Sequence, residues 1–364
     1  MGVDRLVALV GLLLPVTRSV AQSQDLTVRL EAYFAQRPEG PFSGVVLVAR
    51  GGRVVFERGY GFADADLGVR NTPQLRFGIG SLTKPITATT VMRLAERGAL
   101  RLTDSICSYL PRCPDAWHLV TISHLLSHTS GIPDLFGELP AAAVDSTRYV
   151  IDAAIGRHIG DSLRSRPGER YAYSNFNYFL LGYALEIIGR ATWETLLRRE
   201  VFQPAGMQAT AYDDVWRIMP RRARGYVRVG GELRHIEYHD HSAYAAGGLL
   251  STARDLLGFD VALSAGRLVH DSTYRLMTTP VLGDYGLGWQ IVTVFGRRLV
   301  NHTGGANGFA SHLAHFEDGT TIVLLSNVEG AAAAKATSCD VAAVVFGLQP
   351  SVRGAGLTAC RSTP

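Results

Sequence analysis

The stretch Phe77-Gly-Ile-Gly-Ser-Leu-Thr-Lys-Pro-Ile-Thr-Ala-Thr-Thr-Val-Met92 has the pattern of a glycine-rich turn that leads directly into a helix. Ser81 and Lys84 are three residues apart, so their side chains share one helix face. A serine hydroxyl becomes a good nucleophile when a base removes its proton, and a nearby lysine is such a base if its pKa is lowered. Free N–H groups at a helix start also favour developing negative charge. The stretch therefore predicts a nucleophilic serine.

A second candidate motif is Tyr173-Ser-Asn175, at the junction of a loop and a predicted helix. A tyrosine beside a lysine can share its proton, which leaves one of the two available as a base. An asparagine can donate to a substrate carbonyl and accept from an ammonium group. Taken alone, the same residues also fit the start of an amphipathic helix with aromatic core residues. Likewise, S-x-x-K alone also fits a surface helix with an exposed lysine.

A third motif, Asn301-His-Thr-Gly-Gly305, ends a predicted strand. Its glycines and its small threonine allow a ligand to lie close to the strand. His302 can present a proton or a positive charge to that ligand. The alternative is a glycine-rich strand end with a surface histidine.

The composition is that of a globular protein with a substantial core. The chain has 364 residues, of which 47% are hydrophobic and 19% are charged. Its net charge of +4 comes from scattered arginines, the densest run being Arg221, Arg222 and Arg224. No aromatic residues interleave with this run, so we interpret it as a solvated face and expect no nucleic-acid partner.

The N-terminal residues 1–21 have the pattern of a secretory signal peptide. Arg5 precedes the apolar run of residues 6–16, and Ser19-Val20-Ala21 is a small-x-small cleavage site. The apolar run is too short to span a bilayer, and no cysteine lies at the cleavage point to carry a lipid. We therefore expect an exported protein, secreted or periplasmic, with no stable membrane anchor. The sequence leaves its oligomeric state open.

The four cysteines are expected to form disulfides, because an exported protein meets an oxidising compartment. Three pairings are possible, and closeness in sequence favours Cys107–Cys113 and Cys339–Cys360. Zinc is a poorer interpretation, since the chain contains no C-x-x-C motif.

Two groups of histidines were considered as metal ligands. His124 and His128 are four residues apart but lack the glutamate of an H-E-x-x-H motif, so a packing role is expected. His235, His239 and His241 match no known ligand spacing and indicate a polar loop or hairpin. No metal site is predicted.

Strand patterns occur at both ends of the chain and helix patterns in its middle. Hairpins are predicted at residues 41–61, 288–302 and 309–326, and a C-terminal helix at residues 331–346. The prediction is an α+β fold: an antiparallel sheet built from both chain ends, flanked by helices, with an inserted, mostly helical lobe. Residues 22–364 are expected to form one domain. Its sheet lobe spans about residues 25–75 and 280–350, and its helical lobe about residues 76–279.

The three motifs, in this order and about ninety residues apart at the first step, resemble those of the serine β-lactamase and penicillin-binding-protein superfamily. The likeness is to its class C and D-alanyl-D-alanine-carboxypeptidase branch, whose β-lactamase/transpeptidase-like fold is α+β. The stretches His124-Leu-Leu-Ser-His-Thr-Ser-Gly131 and Ala246-Gly-Gly-Leu-Leu-Ser-Thr-Ala-Arg254 agree with the same pattern. The resemblance covers about residues 25–346.

This resemblance implies a role for each motif residue. Ser81 is the nucleophile that forms an acyl-enzyme, and Lys84 and Tyr173 are its general base and acid. The remaining residues bind substrate. Asn175 orients the substrate amide and also Lys84, while the opposite wall is lined by His302, Thr303 and Gly304. The N–H groups of Ser81 and Gly305 form an oxyanion hole. The resemblance implies no metal or organic cofactor.

The third motif departs from most β-lactamases, which have lysine where this chain has His302. A neutral imidazole attracts a substrate carboxylate less strongly than a lysine does. We therefore expect a serine hydrolase that cleaves ester, D-alanyl peptide or amide, or β-lactam bonds, with ester or D-Ala peptide favoured. The alternatives are a true class C-like β-lactamase and a non-catalytic penicillin-binding or sensor domain. An α/β-hydrolase is excluded, because no serine lies in a G-x-S-x-G motif.

Overall fold

The computed structural model describes residues 14–37, 42–136, 147–157, 160, 162–214, 217–236 and 243–350. Its strands are β1 (Gly44–Arg50), β2 (Arg53–Tyr60), β3 (Phe62–Asp64), β4 (Val69–Arg70), β5 (Phe77–Gly78), β6 (Ala211–Tyr212), β7 (Tyr226–Val229), β8 (Glu232–His235), β9 (Leu249–Ser251), β10 (Gln290–Val294), β11 (Arg297–Ala306), β12 (Phe309–Phe316) and β13 (Thr320–Ser326).

Its helices are α1 (Leu14–Ala35), α2 (Thr83–Glu96), α3 (Ile122–Leu126), α4 (Thr147–Arg157), α5 (Asn175–Gly189), α6 (Trp193–Leu197), α7 (Gln203–Ala205), α8 (Tyr244–Gly247), α9 (Ala253–Ser264), α10 (Asp271–Met277) and α11 (Ala331–Val345). Short 3-10 turns occur at Gly80–Leu82, Ile106–Ser108 and Asp115–Trp117, and a π-helical turn at Arg198–Phe202.

The main sheet joins the two ends of the chain. Its six antiparallel strands have the order β10-β11-β12-β13-β1-β2. The N-terminal strand β1 pairs with the C-terminal strand β13, in a register that sets Gly44 opposite Ser326 and Arg50 opposite Thr320. The predicted α+β fold, with a sheet built from both chain ends and a helical insertion, is confirmed.

Side chains of β1 alternate between two hydrophobic cores, because successive residues of a strand point to opposite faces. Val46 and Val48 pack with α1 and α11 in one core, whereas Val45 and Leu47 face the larger core shared with the helical lobe. The sheet is thus covered by helices on both faces. No sequence pattern predicted the part of helix α1 that continues to Ala35.

Helix α2 crosses the interior of the helical lobe, and most of its residues are buried. A helix that is buried nearly all round has little need of an amphipathic pattern. It ends at Glu96, close to Gly98, which has the left-handed φ of 73° that favours glycine. Its first turn therefore holds Lys84 inside the protein.

Helix α6 is followed directly by the π-helical turn Arg198–Phe202. The carboxylate of Glu200 in this turn is buried and pairs with Arg93, Arg97 and Arg199. A buried carboxylate needs such partners, and the widened turn carries it to the arginines of α2 and its C-terminal end.

The disulfide predicted between Cys107 and Cys113 is confirmed, with 5.3 Å between the two Cα atoms. Cys339 lies buried in α11, and its expected partner Cys360 is outside the described residues. Residues 1–13 are also outside them, so the signal peptide stays a prediction. None of the helices in the described part of the chain has the length and apolar character that a membrane crossing requires.

The described histidines of the two groups contact protein side chains and backbone. His124 accepts the backbone N–H of Thr121 and donates its own backbone N–H to the Thr121 hydroxyl, which caps α3. His235 is exposed on β8, with its Nε2 3.1 Å from the carboxylate of Asp66. His239 and His241 lie outside the described residues. Within the described ranges, no group of three or more His, Cys, Asp or Glu side chains is placed to hold a metal ion.

Candidate active site

Ser81 lies in the 3-10 turn Gly80–Leu82, immediately before α2. Gly80 has a left-handed φ of 48°, and a Cβ atom at this position would lie 2.4 Å from the carbonyl oxygen of Gly305. Glycine is therefore needed here both for the backbone conformation and for the close approach of β11. The turn brings Ser81 of the first motif against the third motif.

The ammonium group of Lys84 is fully buried and has three acceptors around it. Its Nζ lies 3.0 Å from Ser81 Oγ, 2.8 Å from Asn175 Oδ1 and 2.9 Å from the carbonyl oxygen of Ala246. The Asn175 and Ala246 oxygens can only accept, so they hold the two N–H groups of a neutral amine. The remaining lone pair of that amine faces the hydroxyl of Ser81.

Burial lowers the pKa of Lys84 from its usual value near 10.5 to about 7, although the carboxylate of Asp134 acts in the opposite direction. Desolvation disfavours the charged form of an amine, which is the physical cause of the shift. At neutral pH a large fraction of Lys84 is uncharged. It is therefore placed and poised to take the proton of Ser81.

Tyr173 lies on the other side of the nucleophile. Its hydroxyl is hydrogen-bonded to Ser81, and its ring centroid is 4.8 Å from Lys84 Nζ. The residue as a whole is 40% exposed, but burial around its hydroxyl raises the pKa of Tyr173. Near neutral pH Tyr173 therefore carries its proton and is suited to donate it.

Asn175 is the first residue of α5 and lines the pocket next to Ser81. Its Oδ1 accepts from Lys84, and its Nδ2 lies 3.5 Å from Asp134 Oδ2. The first two motifs, distant in sequence, are thus brought together as one hydrogen-bonded group.

His302 differs from its sequence interpretation. It is 3% exposed, and its Nδ1 donates to the carbonyl oxygen of Thr303 over 2.6 Å. Because Nδ1 carries the proton, Nε2 accepts from the hydroxyl of Tyr285, 2.9 Å away. Burial lowers the pKa of His302 to about 3, so the ring is neutral. It presents neither a positive charge nor a free proton to the pocket, and its substrate-binding role stays a prediction.

The glycines of the third motif place β11 against the nucleophile turn. A Cβ on Gly304 would lie 2.0 Å from the carbonyl oxygen of Ile79, which also accepts from Ser311 Oγ over 2.7 Å. Gly305 borders the pocket, whereas Thr303 is half-buried beside His302. The glycines of this motif therefore allow the backbone of β11 to lie directly against the backbone of the turn that carries Ser81.

The pocket in front of Ser81 has a volume of about 270 Å³. Its described lining consists of Gly78, Ser81, Phe136, Tyr173, Asn175, Asp213, Ala243, Ala246, Gly247, Gly248, Leu249, Gly305, Ala306, Asn307, Phe309 and Glu329. The charged members of this lining are both carboxylates, Asp213 and Glu329. Asp213 is paired with Arg222 at 2.9 Å. His302, Thr303 and Gly304 are not part of the described lining.

Sequence reasoning predicted only a packing role for His128 and did not single out Tyr285 or Asp134. Tyr285 holds His302, His128 packs its ring 4.3 Å from that of Tyr173, and Asp134 contacts Asn175. His128 belongs to the sequence pattern His124–Gly131, whereas Asp134 lies three residues beyond its end. Tyr285 belongs to no sequence motif that would have indicated its contact with His302.

The sequence profile of the Beta-lactamase family matches residues 30–343. PbpX of Bacillus subtilis (strain 168), by its name a candidate penicillin-binding protein, is 30% identical over 292 residues, which are 79% of this chain and 71% of that protein. A penicillin-binding protein from Bacillus halodurans has a crystal structure with a TM-score of 0.73 and 26% identity, covering 88% of this chain and 98% of that one.

The same fold occurs in a D-amino acid amidase from Ochrobactrum anthropi SV3, whose structure with D-phenylalanine superposes with a TM-score of 0.71. The two sequences are 24% identical, and the match covers 85% of this chain and 92% of the amidase. This likeness concerns the fold.

Proposed function

The chain belongs to the Beta-lactamase family and is a serine hydrolase of that superfamily; we propose that it works through an acyl-enzyme on Ser81. The observation that supports this most strongly is the arrangement of Lys84, whose lone pair faces the Ser81 hydroxyl while Asn175 and Ala246 hold its N–H groups. An uncharged amine in this position activates the serine near neutral pH.

In the proposed reaction, Lys84 takes the proton of Ser81 as Oγ attacks the substrate carbonyl. The N–H groups of Ser81 and Gly305 stabilise the negative oxygen of the tetrahedral intermediate, an effect worth about 2.7–4 kcal/mol for one donor in other hydrolases. Tyr173 passes its proton to the leaving group as the carbonyl re-forms, and the ammonium group of Lys84 returns a proton to Tyr173. Water then attacks the ester on Ser81 and gives a proton to Lys84, directly or through Tyr173; that proton returns to Ser81 Oγ as the free acid leaves.

Esters and D-alanyl peptides or amides are the substrates we favour over penicillins. The described lining of the pocket contains no lysine or arginine, and His302 is neutral and buried behind it. The carboxylate of Glu329 at the exposed rim would repel the ring carboxylate of a penicillin. A class C-like β-lactamase and a non-catalytic penicillin-binding domain are the two alternatives. The second is disfavoured because the base, the nucleophile and Tyr173 are in mutual contact.

The test is covalent labelling followed by turnover. Protein mixed with a fluorophosphonate or with penicillin should carry one adduct, and peptide mass spectrometry should place it on Ser81. Ser81→Ala should carry none, whereas Ser264→Ala, a serine of α9, should label like the parent. Labelling at another serine of the folded protein would refute the mechanism. Parallel rates on a short p-nitrophenyl ester, a D-alanyl peptide and nitrocefin then decide the substrate class.

We also propose that residues 1–21 are a signal peptide and that residues 22–364 form one exported catalytic domain. The Cys107–Cys113 disulfide supports export, because such bonds persist in oxidising compartments. N-terminal sequencing of protein secreted by a bacterial host should begin at Gln22. An N-terminus at Met1 in the mature protein would contradict this proposal.

A further inference from the structure

The segment Ser127–Asp134 runs beside the loop that carries Tyr173 and Asn175 and has no role in the mechanism above. Its contacts with that loop are specific. The carbonyl oxygen of His128 accepts the backbone N–H of Ala172 over 2.9 Å, and His128 Nδ1 accepts that of Ser174 over 3.1 Å. The imidazole also lies against the Tyr173 ring. One end of the segment therefore supports the loop at Tyr173.

The other end of the segment supports Asn175. Asp134 Oδ1 accepts the backbone N–H of Phe176, in the first turn of α5, over 3.1 Å, and that of Phe136 over 3.3 Å. Its second oxygen, Oδ2, faces Asn175 Nδ2 at 3.5 Å. The carboxylate thus contacts both the start of the helix and the side-chain amide that the helix carries into the site.

The two neighbours of the Asn175 amide permit a single orientation. An amide side chain has nearly the same shape when its oxygen and nitrogen are exchanged, so its contacts decide which way it points. Lys84 donates both when charged and when it offers an N–H as a neutral amine, whereas a carboxylate only accepts. Both require Oδ1 toward Lys84 and Nδ2 toward Asp134. One N–H of Nδ2 then remains for a substrate carbonyl in the pocket.

We propose that Asp134 is a positioning residue, which locks the Asn175 amide in the orientation that both Lys84 and the substrate need. This inference rests on the proposed acyl-enzyme function, since it concerns the same reaction. Asp134 acts through Asn175 and touches no reacting atom.

The charge of Asp134 gives the proposal a second, measurable consequence. The titratable side chains around Lys84 are Tyr173 and Tyr178, whose pKa values burial raises, His128 and His302, whose pKa values burial lowers, and Asp134. Near neutral pH the first four are uncharged, which leaves Asp134 as the charged neighbour. Its negative charge favours protonated Lys84, so removing it lowers the pKa of Lys84 further.

The experiment measures kcat and KM of Asp134→Asn on a neutral p-nitrophenyl ester from pH 5 to 9. The new amide can still accept the Phe176 N–H, but it can also donate to Asn175, so the single orientation is lost. We expect kcat to fall about tenfold, as for the loss of roughly 1.4 kcal/mol of interaction. The acid limb of kcat/KM should move to lower pH, because Lys84 stays deprotonated further into acid.

Asp271→Asn is the matched control. Asp271 is an exposed carboxylate in the first turn of α10, so the change removes the same charge from another helix start away from Ser81. It should leave kcat and the acid limb at the parent values. If Asp134→Asn also leaves both unchanged and only lowers the melting temperature, Asp134 is merely a helix cap and the proposal is wrong.

A double variant tests whether the effect passes through Asn175. In an Asn175→Ala background, Asp134→Asn should lower kcat little further, whereas multiplying losses would overturn the proposal. If Asp134→Asn fails to fold, Asp134→Glu is the alternative, because it keeps the negative charge but displaces it. The acid limb of kcat/KM should then match that of the parent, whereas kcat should be reduced. An unchanged kcat in Asp134→Glu would refute the positioning role. If the parent enzyme shows no turnover that depends on Ser81, the proposed function itself is wrong. If the parent is active, the Asp134 variants test only the positioning role.

Discussion

Lys84 and His302 are two nitrogen bases buried within one site, and burial affects them differently. Desolvation lowers the pKa of both, to about 7 for Lys84 and to about 3 for His302. The lysine starts from a higher ordinary value, so the same physical effect brings it to neutral pH. The histidine starts near 6.5 and is carried far below it.

Their hydrogen bonds reinforce this difference. Lys84 keeps one position directed at Ser81, which is where a proton must move. Both ring nitrogens of His302 are already engaged, one by Tyr285 and one by the Thr303 carbonyl. In the proposed mechanism, burial therefore makes a base only where the ordinary pKa and an open contact to the serine hydroxyl coincide.

The largest expected effect is that of removing the base. Lys84→Ala should lower kcat/KM about 10³-fold or more, within the range found for general bases. The parent should also lose activity as the pH falls below about 7, because Lys84 is then protonated. Steady-state rates on the p-nitrophenyl ester across pH give both results.

The control for this change is Lys335→Ala, at the second of the chain's two lysines. Burial lowers the pKa of Lys335 as well, but it lies in α11. This variant should turn over like the parent. If Lys84→Ala is as active as the parent, Lys84 is not the general base.

An intermediate effect is expected from Tyr173→Phe, which deletes the hydroxyl hydrogen-bonded to Ser81. We expect a loss of about 10²-fold, at the lower end of acid–base contributions. The losses from Tyr173→Phe and Lys84→Ala should not multiply, since the two residues share one proton-transfer task. Pre-steady-state acylation rates of the single and double variants measure this.

Tyr171→Phe is the matched control for that hydroxyl. Burial raises the pKa of Tyr171 to about 12, and its ring packs 5.5 Å from that of Tyr285 in the same aromatic cluster. It should remain near parent activity. If Tyr173→Phe is equally active on every substrate, the role assigned to Tyr173 is wrong.

The smallest effect should come from giving the third motif a charge. His302→Lys should raise the ratio of nitrocefin to ester kcat/KM about tenfold, equivalent to about 1.4 kcal/mol. Burial of a charged lysine behind the pocket is unfavourable, so its side chain would extend toward a substrate carboxylate. Tyr285→Phe, which removes the hydrogen bond to His302 without adding charge, should leave the ratio unchanged. An unchanged ratio in His302→Lys would show that charge at this position has no bearing on substrate choice.

Local patterns in the sequence predicted much of the fold and the core of the site. The three-residue spacing of Ser81 and Lys84 places them together in the observed turn and helix, and the Asp318-Gly319 hairpin joins β12 to β13 as expected. Such features depend on short-range geometry, which residue order states directly. The order of the motifs then indicated which distant residue, Asn175, would meet them.

Other features depend on contacts that no local pattern encodes. The state of His302 is set by the hydroxyl of Tyr285, a residue of an irregular segment before β10. The contact between Asp134 and Asn175 joins residues 41 positions apart across two loops. Burial and a tertiary neighbour decide the state of His302, whereas a tertiary neighbour alone defines the contact of Asp134, so the residue type was insufficient in both cases.

The contact between β11 and the nucleophile turn also has a mechanical consequence. Gly80 and Gly304 leave no room for a side chain between the strand and the turn, and Ser311 ties Ile79 to β12. The sheet and the helical lobe are thus joined next to Ser81, the proposed nucleophile. A hinge motion that parted the lobes would pull Gly305 away from Ser81 and dismantle the proposed oxyanion hole. The close contact therefore favours a single shape for the proposed oxyanion hole.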